Sequence, residues 1–266
     1  MNPAIDESKR LFFGFQVDAP WPAHLPKGRV IEERCRHSTL AFLGQISFNK
    51  IKSLLPSFPS LPFLIAPVGF FDQPLFLPIQ DPNVIAWHMH LQNLDSFYFT
   101  LVKWLNINDI PVKIREDFLP HVTIARTPFD SREWQQEFIK LPFKITGLHL
   151  YESKGNLKYH SCWHYPIQEA FVELEHTADI AYKIYGHHLQ EIYYNAFIAL
   201  SFEFPEMLDY YIKVNKIDHL DDIVMLLNKC ISLADTEIGC PFKAVSFHGN
   251  IQQQNNYLTW EMIIDV

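Results

Sequence analysis

Apolar and polar residues alternate with a period of two in several stretches of the chain, and each predicts a strand with one buried face. Residues 11–17, 37–43, 84–90 and 121–126 read this way. So do 143–151 and 158–163, which Gly155-Asn156 joins into a hairpin. Asp18-Ala19-Pro20 ends the first strand, 21–29 is an irregular connection, and Gly44-Gln45 marks a turn. The period lengthens to helical spacing over 48–55, 91–106 and 131–139, the last opening on Asp130 or Ser131 as its cap. Pro56, Pro59, Pro62, Pro67, Pro74, Pro78 and Pro82 exclude a long helix between 56 and 83 and leave short strands at 63–65 and 68–71.

The pattern then starts afresh. Strands at 170–174 and 181–185 precede a helical face of Leu189, Ile192, Tyr193, Ala196 and Leu200. A second helix over 220–234 and terminal strands at 243–247 and 257–264 complete the set. Residues 166–169 are the natural linker, so the chain divides into units 1–167 and 168–266, both of α+β class.

Charge divides at the same place. Residues 1–167 carry 17 Lys+Arg and 15 Asp+Glu, a net of +2, while 168–266 carry 5 and 15, a net of −10. Two units with different partners follow from that contrast. Neither is basic enough to hold a long nucleic acid by its phosphates, although a terminal phosphate in a cleft is compatible with both. Cys35, Cys162, Cys230 and Cys240 contain no Cys-x-x-Cys pair and read as free thiols of a cytoplasmic protein. Residues 1–10 are polar with both signs of charge, unlike a signal peptide, and no apolar run approaches the roughly 18 residues of a membrane span.

The candidate chemistry lies in two triplets, His37-Ser38-Thr39 and His121-Val122-Thr123. Residues two apart leave a strand on one face, so each His stands beside its Thr, while Leu40 with Phe42 and Val122 with Ile124 point into the core. His-x-Thr arises readily by chance in a chain with 13 His, but both of these continue as aliphatic-Ala within a predicted strand. Hydrolysis of a strained phosphodiester needs a base for water and an acid for the departing oxygen, and imidazole serves as either near neutral pH. A Thr hydroxyl beside each His can donate to a non-bridging oxygen, and the chemistry asks for no metal. His88 and His90 also share a face, but with no third ligand nearby they read as half-exposed strand histidines.

Residues 10–165 resemble the 2H phosphoesterase superfamily, in particular its RNA 2′,3′-cyclic phosphodiesterase branch, also called 2′-5′ RNA ligase. The resemblance rests on Arg10-Leu11-Phe12-Phe13, the two His-x-Thr strands, Gly69-Phe70-Phe71, and Leu150-Tyr151-Glu152-Ser153 with Gly155 and Tyr159. It implies a pseudo-symmetric fold with antiparallel sheets around a cleft, and metal-free opening of a 2′,3′-cyclic phosphate to a 2′-phosphomonoester. It makes His37 the proton donor and His121 the acceptor, with Thr39 and Thr123 holding the phosphate and Arg126 near it. Spacing alone leaves the acid and base open.

In the second unit Asp179 suits a turn, and His176 with Asp179 is only a weak ligand pair. Glu175-His176-Thr177-Ala178-Asp179-Ile180, Lys243-Ala244-Val245 and Ile264-Asp265-Val266 are nevertheless similar to archease, which promotes guanylylation of the RNA-splicing ligase that joins 2′,3′-cyclic phosphate ends to 5′-hydroxyl ends. The resemblance implies that Asp179 and Asp265 bind a divalent cation such as Ca²⁺ and that Lys243 is required. Both units then point to the cyclic phosphate of cleaved RNA, in tRNA splicing or RNA repair. A non-catalytic RNA-end adaptor is the competing class, and two retained proton-transfer groups speak against it.

Overall fold

The computed structural model describes residues 8–91, 94–112, 118–247, 249–254 and 256–266, so residues 1–7 of the polar amino-terminal stretch lie outside the description. Its first part runs β1 (Ser8–Asp18), β2 (Arg29–Val30), β3 (His37–Ser47), α1 (Phe48–Leu54), β4 (Val68–Leu77) and β5 (Val84–His90). It continues with α2 (Leu94–Ile107), β6 (His121–Arg126), α3 (Ser131–Gln136), β7 (Leu141–Ser153) and β8 (Tyr159–Tyr165). The second comprises β9 (Phe171–Leu174), β10 (Ile180–Gly186), α4 (Leu189–Glu203), α5 (Leu220–Ile238), β11 (Ala244–Val245), β12 (Gln252–Gln254) and β13 (Tyr257–Asp265).

Among the described residues the named strands pair antiparallel throughout. In the first part the order β1-β3-β6-β5-β4-β7 closes on itself, because β7 also pairs with β1, and β8 extends β7. The second sheet runs β11-β13-β10-β9, with β12 on β13. The buried apolar residues form two clusters, one with Phe13, Phe15, Trp87, Leu101 and Phe143, the other with Ile184, Tyr193, Phe197, Leu227 and Trp260 together with Ile65 and Val68 from the first part. The 166–169 segment is stapled to the first part, with the Ala66 amide donating to Gln168 O at 2.7 Å and Lys144 reaching Glu169 at 2.7 Å.

Local signals account for most boundaries. Ser47 caps α1 by accepting from the Lys50 amide at 3.0 Å, and Asp130 caps α3 by accepting from the Arg132 amide at 2.8 Å. Helix α2 buries Phe97, Leu101 and Leu105, one face at helical spacing. Three expectations are corrected. The turn at Gly44-Gln45 does not end its strand: Leu43 is skipped between the pairs Leu11–Gly44 and Phe12–Phe42, Gly44 takes φ +72°, and β3 runs on through this bulge. The strand at 63–65 shrinks to a single bridge from Ile65 to Gln168. The strand begun at 68 extends to Leu77 despite Pro74, which sits at a register shift where a missing N–H is tolerated.

Candidate active site

Strands β3 and β6 meet at one register pair, Ser38 across from Val122. Both side chains are fully buried. Carrying the antiparallel register one residue each way sets His37 opposite Thr123 and Thr39 opposite His121, on the other face. The two triplets are thus related by a local two-fold axis between their middle residues.

The shared aliphatic-Ala continuation turns out to be a bulge in each strand. Leu40 is skipped between Thr39, across from Gly14, and Ala41, across from Phe13. Ile124 is skipped between Thr123, across from Ala86, and Ala125, across from Ile85. An extra residue turns the rest of a strand over. Leu40, Ala41, Ile124 and Ala125 are therefore all buried, and the next residue, Phe42 or Arg126, emerges beside the His and Thr. This overturns the expectation for Phe42, which is 57% exposed instead of in the core. It also delivers Arg126, which strict alternation would have turned inward.

Both imidazoles are held alike. His37 Nδ1 lies 2.7 Å from Cys35 O, and His121 Nδ1 lies 2.7 Å from Leu119 O. A carbonyl only accepts, so in each ring Nδ1 carries the hydrogen and Nε2 is the basic nitrogen. His37 is 8% exposed, its ring centroid 4.8 Å from Phe12, 5.2 Å from Tyr151 and 4.7 Å from Tyr159. Burial pushes its pKa down to about 4; the Cys35 carbonyl opposes the shift and the nearby His121 adds to it.

His37 is thus neutral at pH 7 while the cleft holds no anion. Between the ordinary imidazole value and about 4 the unfolded chain holds a proton on His37 that the folded chain does not. Stability therefore falls as pH drops through that window, by roughly 3 kcal/mol when complete. An NMR titration should place the His37 midpoint near 4, and saturating inorganic phosphate should move it toward neutrality. A midpoint in the ordinary imidazole range without phosphate would contradict the burial effect.

A cavity of about 280 Å³ opens on His37, Thr39, Thr123 and Arg126. His121 is not among the residues lining it; the register extended from Ser38–Val122 sets it beside Thr39, and it is near enough to His37 to lower that imidazole's pKa. Arg10 and Arg29 also line it, and no described carboxylate does. Sequence reasoning gave Arg10 and Tyr159 no role although both lay in quoted motifs, and it lost Arg29 in a stretch read as irregular. Arg29 is brought in by β2, where it pairs with Arg126. Burial pushes the Tyr159 phenol up, and the nearby Arg126 guanidinium opposes that shift. Gly14 admits no side chain: a Cβ there would lie 2.9 Å from Ser38 O and 3.5 Å from His37 Cδ2.

His88 stands across from His121, and its Nδ1 lies 2.7 Å from Asp72, whose other oxygen is 3.7 Å from His90 Nδ1. In the second part the β10–β13 pairing ends at Ile180–Ile264, so Asp179 lies in the bend just before β10 and Asp265, one residue past that pair, is across from Ala244 of β11. Lys243 donates its amide to Asp265 O at 2.8 Å and its Nζ to Val266 O at 2.6 Å. His176 Nδ1 accepts from the Asp179 amide at 3.3 Å, the turn arrangement expected of these residues, and lies 3.7 Å from the Asp179 carboxylate. Among the described residues no group of three or more His, Cys, Asp or Glu is placed to hold a metal ion. Asp179 and Asp265 by themselves supply fewer than the six or more oxygens that Ca²⁺ takes. All four cysteines are free, and no helix among the described residues is long and apolar enough to cross a membrane.

No family model and no curated protein matches the chain. Among solved structures, E. coli LigT with 3′-AMP is 21% identical, covering 60% of this chain and 99% of its own at a TM-score of 0.44. A phosphoesterase is 20% identical over 61% and 99%, also at 0.44. A protein of Thermus thermophilus is 17% identical over 60% and 98%, at 0.45. Likeness of this degree carries no weight on what the chain does.

Proposed function

We propose that this chain opens the 2′,3′-cyclic phosphate at an RNA end to a 2′-phosphomonoester. The observation that supports it is the two-fold arrangement of two imidazoles and two hydroxyls beside an arginine-lined cavity, with each Nδ1 tied back to a carbonyl. His121 takes a proton from water, the water oxygen attacks phosphorus, the bond from phosphorus to O3′ breaks, and His37 protonates O3′ as it leaves. Thr39 and Thr123 donate to the non-bridging oxygens, where negative charge grows in the transition state, and Arg126 compensates it. His37 is neutral in the free chain, so the proton it donates is taken up with the anionic substrate, whose charge stabilises the imidazolium.

The test is hydrolysis of a cyclic mononucleotide in EDTA. A 2′-phosphate product without metal supports the reading. Tight binding of the cyclic end without turnover would replace it with the RNA-end adaptor.

We also propose that residues 168–266 serve as an accessory to a ligase that consumes the same cyclic phosphate ends. Asp179 just before β10, Lys243 just before β11 and Asp265 at the end of β13, which pairs with both strands, support this. Co-purification with the ligase should succeed and its guanylylation should speed up, with Lys243→Ala weakening the effect. No binding and no acceleration would remove the proposal.

A further inference from the structure

A second cavity, of about 460 Å³, lies on the same sheet face as the His-x-Thr pair. The register fixes their relation. Gln16, which lines it, pairs with His37, and Gly14 has Thr39 across from it on one side and His149 on the other. His149 is therefore two strands from Thr39, about 10 Å. A row of rings joins the two places: His37 to Tyr151 at 5.2 Å, Tyr151 stacked on His149 at 5.1 Å, and His149 to His164 at 5.2 Å.

The two cavities have opposite electrostatics. The first is lined by Arg10, Arg29 and Arg126 with no described carboxylate. The second is lined by the carboxylates of Asp18, Glu33 and Glu169 with only Lys144 and Arg34 against them. Lys144 is already committed, 2.7 Å from Glu169 and 3.9 Å from Asp18. Burial pushes the Asp18 carboxyl up, with Lys144 opposing, and pushes the His149 imidazole down to about 4, so His149 adds no positive charge to the lining near neutral pH. Thr146 lines the cavity too, and its Oγ1 has no hydrogen-bond partner among the described residues. A phosphate is repelled by such a lining. A neutral heterocycle rich in N–H donors is not.

We propose that this cavity receives the nucleobase attached to the cyclic ribose and favours guanine. Guanine alone among the four bases offers two parallel donors, N1–H and the exocyclic amino group, to the two oxygens of one carboxylate. Adenine and cytosine set their amino group beside a ring acceptor, which a carboxylate repels, and uracil offers a single N–H. The division of labour follows the charges: arginines hold the phosphate, carboxylates read the base one nucleoside away. This rests on the cyclic phosphodiesterase reading of the first cavity.

The experiment compares kcat/KM for the four 2′,3′-cyclic mononucleotides on the full chain. The guanosine substrate should exceed the uridine one at least tenfold, and Glu33→Gln and Asp18→Asn should each cut that ratio at least threefold. A ratio does not depend on how much of a variant folds. Equal rates for all four, or a preference that survives both substitutions, would overturn the proposal. Calorimetric titration with guanosine and uridine 3′-monophosphates separates the two levels. Tighter guanosine binding without turnover keeps the base site and rejects the catalytic reading; equal binding rejects the base site whether or not turnover occurs.

Discussion

His37→Ala and His121→Ala should each lower kcat/KM for a cyclic mononucleotide by ~10³-fold, because each removes one of the two proton transfers. The double variant should lose little more than either single one, since the groups act as a pair in one step. His121 is the cleaner test. It is half-exposed at the start of β6, whereas His37 is enclosed by three aromatic rings and its loss also leaves a void. His121→Ala should therefore keep its melting temperature and lose its rate, measured together on one preparation. Rate retained in His121→Ala would remove the two-imidazole mechanism.

Arg126→Ala should lower kcat/KM by ~10²-fold, the scale expected when one charged donor to a developing phosphate charge is lost. Arg126→Lys should recover only part of this, because an ammonium restores charge without the planar fork that grips two oxygens. If the loss falls in kcat, Arg126 acts on the transition state; if it falls wholly in KM, Arg126 grips substrate and transition state alike. Its partners predict the order of effects. Tyr159 lines the same cavity with its hydroxyl close enough to Arg126 to feel its charge, so Tyr159→Phe should cost less than Arg126→Ala and in the same parameter.

Much of the molecule could be read from the chain directly. The two helices of the second part fall close to where periodicity put them, α4 at Leu189–Glu203 and α5 at Leu220–Ile238, because each buries one face at helical period, whereas the short strand at Gln252–Gln254 carries no such signal. The two His-x-Thr triplets were visible for the same reason: period-two spacing sets His beside Thr. Arg29 was not, since a two-residue strand carries no period and gains its place only by pairing with Arg126.

The sequence by itself determined the alternation that turns each His and Thr to one face and the reversal of charge between residues 1–167 and 168–266. Only the tertiary structure decided what stands beside them. Whether Leu40 and Ile124 sit in register or bulge out depends on what β1 and β5 offer across the sheet, and that choice turns Phe42 outward and delivers Arg126. The neutrality of His37 likewise comes from Phe12, Tyr151 and Tyr159, residues far apart in the chain whose rings strip water from one imidazole. Alternation is a property of neighbours along the chain, whereas register and desolvation belong to neighbours across it.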